Sequence, residues 1–266
     1  MPKTEPKFKY TQQQIDELLK GLHDGSIDEY SIPESLYNAT ADYLLKALYD
    51  GFGGDLTDFE GKDWELLNEL RENIYMFSAA KSFQQLRDIG SLMFDEDGDR
   101  ISINEFSKLG EQKFETWNDA WGRTEYNTAV ASAQTAVKWQ TIEDNKDILP
   151  NLCYHTIGDA CDICAPLDGM TAKVDDHIWN TVTPPNHFNC LCVITQEEED
   201  KELTQNKESI YKQVDKAMDD TFKFNPGKEK VIFSEDHPYF QVPKEDVKFA
   251  KENFGLPIPE AKPNKR

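Results

Sequence analysis

Five cysteines, Cys153, Cys161, Cys164, Cys190 and Cys192, fall within forty consecutive positions, while the other 226 positions of the 266-residue chain have none. Such clustering marks a site that the surrounding chain must fold around. The count is odd, and Met1 to Tyr10 is polar and lysine-bearing with no apolar run behind it, so no secretory signal and a reducing compartment are expected. There, clustered thiols bind metal more often than they form disulfides. Cys161 and Cys164 make a C-x-x-C knuckle, and His187, Cys190 and Cys192 make H-x-x-C-x-C after a gap of 22 residues.

Zinc favours four tetrahedral Cys or His ligands, and a knuckle clamps two thiolates while a second turn brings the other two. The spacing therefore predicts a structural zinc site at Cys161, Cys164, His187 and Cys190. Cys192 is the substitute fourth ligand, because in a strand Cys190 and Cys192 would point to the same face. The gap is long enough for a small hairpin that the metal would staple. The competing reading is a set of reduced cysteines packed as small hydrophobes. A redox role for Cys161 and Cys164 would need a thioredoxin-like βαβ context, which the pattern lacks.

Around this segment the apolar spacing predicts an α+β protein. Thr11 caps a helix through Ile15, Leu18, Leu19 and Leu22 that Asp24-Gly25 stops, and Pro33 opens a second that ends at Gly51. A third runs from Asp63 through Leu66, Leu70, Ile74 and Phe77 toward Ile89. A long helix is expected from about residue 104 to 142, with Ala129, Ala133 and Ala136 as a small-residue face that another helix can approach closely. Residues 1–150 thus read as a helical part, and 151–195 as a Cys/His β-rich module with strands near 153–157 and 190–195. Residues 196–266 read as a charged helix from about Glu199 to Phe222, a β-like stretch at Val231 to Phe233, and an extended arm whose proline-rich end, Leu256 to Arg266, is expected to lack fixed structure.

The formal net charge of -21 repels polyanions at long range, so any contact with DNA must be local. Residues 225–266 hold eight Lys/Arg against seven Asp/Glu, so the excess acidity belongs to the part before Asn225. No run approaches the roughly 18 apolar residues of a membrane span, and no membrane role is expected. Asp95 to Asp99 has acidic residues like a calcium loop, but Arg100 occupies the place of the obligatory glycine, and a solvated turn is expected.

The combination of Cys161-Asp162-Ile163-Cys164, Leu167-Asp168-Gly169 and Pro184-Pro185-Asn186-His187-Phe188-Asn189-Cys190-Leu191-Cys192 resembles the signature of the phage Mu F-like head-morphogenesis family. That family closes on Pro-Pro-x-His-Pro-Asn-Cys-Arg-Cys, where this chain has Phe188 for the proline and Leu191 for the arginine. The helix Arg123-Thr124-Glu125-Tyr126-Asn127-Thr128-Ala129 is similar to the family's Arg- and Glu-bearing helix just upstream. The similar region spans about 86 to 195.

The resemblance implies a minor capsid protein of a tailed phage, made in the host cytoplasm and carried in the virion near the portal vertex. It implies action in head assembly, DNA packaging or ejection, with the portal and other head proteins as partners and local contact with packaged DNA. No catalytic residues are expected, and Arg123 and Glu125 are expected to brace the site from buried or half-buried positions.

Two other functions are weighed. An HNH-like metal-dependent nuclease would draw on His155, His177, Asp175 and Asp176, whose spacing fits no such arrangement. An effector delivered with the phage genome would need a larger C-terminal domain than the roughly seventy residues after Thr195.

Overall fold

The computed structural model describes residues 10–28, 32–117, 121–158 and 161–262. The first helix, α1, spans Gln12–Asp24 and begins with a capping box. The Gln14 amide donates to the Thr11 hydroxyl at 3.3 Å, and the Thr11 amide donates to Gln14 Oε1 at 2.8 Å. These bonds satisfy two amides that a helix start leaves open. Gly25, at φ 79°, closes α1 in the left-handed conformation that a side chain would resist.

Two longer helices follow, α2 over Glu34–Phe52 and α3 over Gly61–Gly90. Pro33 lies just outside α2, and its carbonyl accepts from Leu36 and Tyr37. The acidic turn at 95–99 folds on itself, with Asp95 Oδ1 accepting from the amides of Asp97 and Asp99 while Phe94 and Arg100 pair across it.

The long helix expected from about residue 104 to 142 is described as two, α4 over Ile103–Thr116 and α5 over Gly122–Asn145. Residues 118–120 between them lie outside the described residues. Both helices fall within the expected span, and apolar periodicity runs through both.

Three short strands follow: β1, Asn151–His155; β2, Thr171–Lys173; and β3, Val193–Glu197. They form an antiparallel sheet in the order β2-β1-β3. The gap between Cys164 and His187 is therefore no hairpin of its own. It holds β2, which pairs with β1, and short 3-10 turns at Ala165–Leu167 and His177–Asn180. Cys190 and Cys192 precede β3 rather than sitting in it.

The expected helix from Glu199 to Phe222 is shorter: α6 spans Lys207–Ala217, with a 3-10 turn at Asp220–Phe222. Residues 231–233 form no strand. Their amides are met by a side chain instead, Asn73 Oδ1 accepting from Ile232 and Phe233 at 2.9 Å each. A four-residue helix, α7, spans Pro226–Glu229, and another short helix, α8, spans Val247–Lys251.

The chain divides into two compact units interleaved in sequence. The first takes 1–46, 74–126 and 238–260. Its core joins Tyr10, Leu18, Leu22, Leu86, Ile89, Phe106, Phe114 and Trp117. Ahead of the proline-rich end, residues 238–255 form a run of short turns plus α8. Aromatic packing holds it: Phe254 stacks on Phe83 with centroids 4.6 Å apart, and Tyr239 meets Phe77 edge-on at 5.6 Å. Arg87 adds an ion pair to Asp246 at 3.0 Å.

The second unit takes 47–73, 127–237 and 261–266. Here the small-residue face meets a glycine: a Cβ on Gly51 would lie 2.8 Å from that of Ala133. Ala129, Ala133 and Ala136 are fully buried. The larger core of this unit runs through Trp139, Leu152, Tyr154, Leu167, Trp179 and Ile194 and includes Cys164 and Cys190.

Candidate metal centre

Alternation along β1 sends Leu152 and Tyr154 into that core, and Tyr154 reaches the cysteine cluster. Its hydroxyl donates to Cys164 Sγ at 3.3 Å and accepts from Asn186 Nδ2 at 3.1 Å. Asn186 is itself fully buried and donates to the Val182 carbonyl at 3.2 Å. The turn after the Pro184-Pro185 cis bond is thereby tied to the first knuckle. In the knuckle the Cys164 amide donates to Cys161 Sγ at 3.4 Å, and in the second turn the Cys190 amide donates to the His187 carbonyl at 3.2 Å.

Two groups of donors result, both built on Cys164. Ligand atoms of Cys161, Cys164 and His187 lie within 4.8 Å of one another, and so do those of Cys164, Cys190 and Cys192. Cys164 and Cys190 are buried, Cys192 and His187 half-buried, and Cys161 exposed. All five cysteines are unbridged.

The donor set fits zinc. Two sulfurs on one tetrahedral zinc stand about 3.8 Å apart, given a Zn–S bond of about 2.3 Å, and Cys164 and Cys190 are separated by 3.9 Å. His187 Nδ1 is 2.8 Å from the Phe188 carbonyl oxygen, which can only accept. Nδ1 therefore carries the proton, which leaves Nε2 with the lone pair of a ligand. Hydrogen bonding from Cys164 and Cys190 holds Cys192 far below the usual thiol range, while its contacts with Cys190 and Cys192 push Cys164 up. The three thiols are thus linked by hydrogen bonds that favour the thiolate at Cys192 over Cys164.

The sulfurs of Cys190 and Cys192 both approach that of Cys164, so the two groups of three share Cys164 without merging into one set of four. Glu125 is buried in the first unit and forms an ion pair with Lys81 of α3. Burial pushes its carboxyl up, and Lys81 pulls it back. Arg123 departs from the expectation of burial: two residues earlier on α5, its side chain falls on the exposed side.

The residue that joins this stretch of α5 to the cysteine turn is Asn127, whose Nδ2 donates to Asn189 Oδ1 at 3.0 Å. Asn189 adopts φ 58°, a left-handed conformation that asparagine tolerates better than most residues. Asn127, Tyr154 and Asn186 were not singled out from spacing, since none is a metal-ligand type. The two asparagines flanking His187 within the motif were the available signal. Phe188 packs edge-on against Phe222 at 4.8 Å, and Leu191 is exposed.

His155 and His177 lie apart from this cluster. Each falls in a different group of donors, His155 with Cys153 and Glu197, His177 with Asp176 and Glu208. No described helix is long and apolar enough to cross a membrane.

Comparison with known proteins places the site in context. Residues 101–195 match the family described as Phage Mu protein F like protein. No curated protein and no solved structure matches the chain. The match takes in α4, α5 and every residue of the cysteine cluster, and over that region the chain is similar to the phage Mu F-like family, a likeness that suggests a phage head-related protein.

Proposed function

We propose that this chain is a minor head protein of a tailed phage, acting at or near the portal in head assembly, DNA packaging or ejection. The observation that carries the reading is the coincidence of the family match with the convergence of its motif. Cysteines and histidine separated by up to 31 positions, from Cys161 to Cys192, meet around Cys164 within the matched region. The partners are the portal and neighbouring head proteins, with DNA contact confined to local surfaces by the chain's acidity. The role is one of recognition and assembly rather than catalysis.

Cys161, Cys164 and His187 with Cys190 or Cys192 would hold one zinc ion. The metal supplies a cross-link between the knuckle and the turn after Pro185, which adds to the folding free energy of the second unit. Tyr154 and Asn186 orient the sulfurs, and the Phe188 carbonyl fixes the imidazole.

The test is affinity purification of the tagged chain from infected cells at the stage of head assembly, with nuclease activity assayed on the same material. Recovery of portal protein, and DNA left intact with added divalent metal, supports the assembly role. Metal-dependent cutting that disappears in His155→Ala or His177→Ala would replace it with the nuclease reading.

A further inference from the structure

The other face of the three-stranded sheet carries a second set of donors. Paired residues of an antiparallel sheet project to the same side. Cys153 pairs with Thr195, His155 with Val193 and Asn151 with Glu197. Asn151, Cys153, His155, Thr195 and Glu197 therefore share one face, while Leu152, Tyr154 and Ile194 fill the core behind them. On that face, ligand atoms of Cys153, His155 and Glu197 lie within 4.8 Å of one another. Cys153 is buried, and His155 and Glu197 are half-buried, so the group opens to solvent on the side of the latter two.

The hydrogen bonds fix where the protons are. An ionised carboxylate only accepts, so the Thr195 hydroxyl donates to Glu197 Oε1, 2.8 Å away. The hydroxyl has then spent its proton and must accept from His155 Nε2, also at 2.8 Å. His155 is held as the tautomer with Nδ1 unprotonated. Donation from the second ring nitrogen to the Thr195 hydroxyl orients the imidazole and leaves Nδ1 with the lone pair of a ligand.

A further observation comes from Asn151, fully buried on the same strand face. Its Nδ2 donates to the Glu198 carbonyl at 2.7 Å, but its Oδ1 has no hydrogen-bond partner. A buried carbonyl oxygen left without a donor is costly unless a cation or ordered water satisfies it.

We propose that Cys153, His155 and Glu197 form a second metal site, separate from the cluster around Cys164, that takes a thiophilic divalent cation of the Zn2+ class. One thiolate, one imidazole and one carboxylate suit that class, and three protein ligands leave a coordination position for water. Asn151, paired with Glu197 in the sheet, carries on the same face an Oδ1 that lacks a donor.

Zn2+ titration of the whole protein against a competing chromophoric chelator, with the count read by native mass spectrometry, tests the site. The wild type is expected to bind two equivalents. Cys153→Ser, His155→Ala and Glu197→Gln should each lose one while keeping the equivalent that Cys161→Ser removes. Glu197→Gln preserves shape on a half-exposed position and decides the matter if the buried variants misfold by circular dichroism. A folded Glu197→Gln protein that retains both equivalents at wild-type affinity overturns the proposal. So does a wild type that binds a single equivalent abolished by Cys161→Ser.

Discussion

At the scale of the residue, two groups carry most of the chemistry that can be perturbed cleanly. His187 has its Nδ1 proton committed to the Phe188 carbonyl, and Cys161 is the most exposed sulfur of the cluster around Cys164. His187→Ala and Cys161→Ser are each expected to lose one zinc equivalent by elemental mass spectrometry and to lower the unfolding midpoint, because metal binding to such a site adds to folding. Unchanged metal content in both folded variants would leave the cluster as packed thiols. Lys81 and Glu125 form the second group, a buried ion pair in the first unit.

Removing Lys81 strands a buried carboxylate, so Lys81→Ala is expected to cost about 3–5 kcal/mol in urea unfolding at neutral pH. That cost should shrink in acid as Glu125 takes up a proton. The sign in the wild type follows from the direction of the shift. The folded carboxyl is raised above its ordinary value by burial, so the stability tied to it is present in full below the unfolded carboxylate pKa and is lost as pH rises through the folded one. Glu125→Gln should flatten that slope in urea midpoints measured against pH.

The cysteine and histidine positions were legible because ligand chemistry restricts which residues can serve. Tyr154 and Asn127 were not, since a phenol or an amide gains its role only once the fold has placed a partner beside it.

At the scale of the element, the most constrained contact is between α2 and α5. A Cβ at Gly51 would lie 2.5 Å from the Val130 carbonyl oxygen, which is backbone and cannot rotate away. Gly51→Ala gains roughly 1 kcal/mol of helix propensity, while overpacking costs about 1–3 kcal/mol and here meets a rigid neighbour. A net loss of about 1–2 kcal/mol in chemical denaturation is expected, and a stabilised variant would contradict the close approach. Thr11→Ala should cost about 1 kcal/mol by removing the α1 cap.

The ends of α1, α2 and α3 could be read from caps and glycines because local groups decide them. The 231–233 stretch looked β-like from Val231, Ile232 and Phe233, yet Asn73, some 160 positions away, satisfies the two amides a ladder would have used. Ahead of the proline-rich end, Phe249 and Phe254 pack against Phe83, a contact that the spacing of the C-terminal segment did not announce. Local composition does not report contacts of such sequence separation.

At the scale of the whole molecule, the α+β class was legible from the change of texture at Pro150, and cysteine spacing announced the residues that gather around Cys164. The interleaving of three stretches of chain in each unit was not, because it is set by long-range packing. The matched region covers 101–195 and contains the metal-type residues, so the head-protein reading stands on the part of the chain where chemistry and family agree. Quantitative mass spectrometry of purified phage particles, counting this chain against the portal protein, tests that reading most directly. A reproducible few copies per particle, released together with portal when heads are dissociated, is the expected result. Particles that are complete and infectious but contain none of this chain would contradict it.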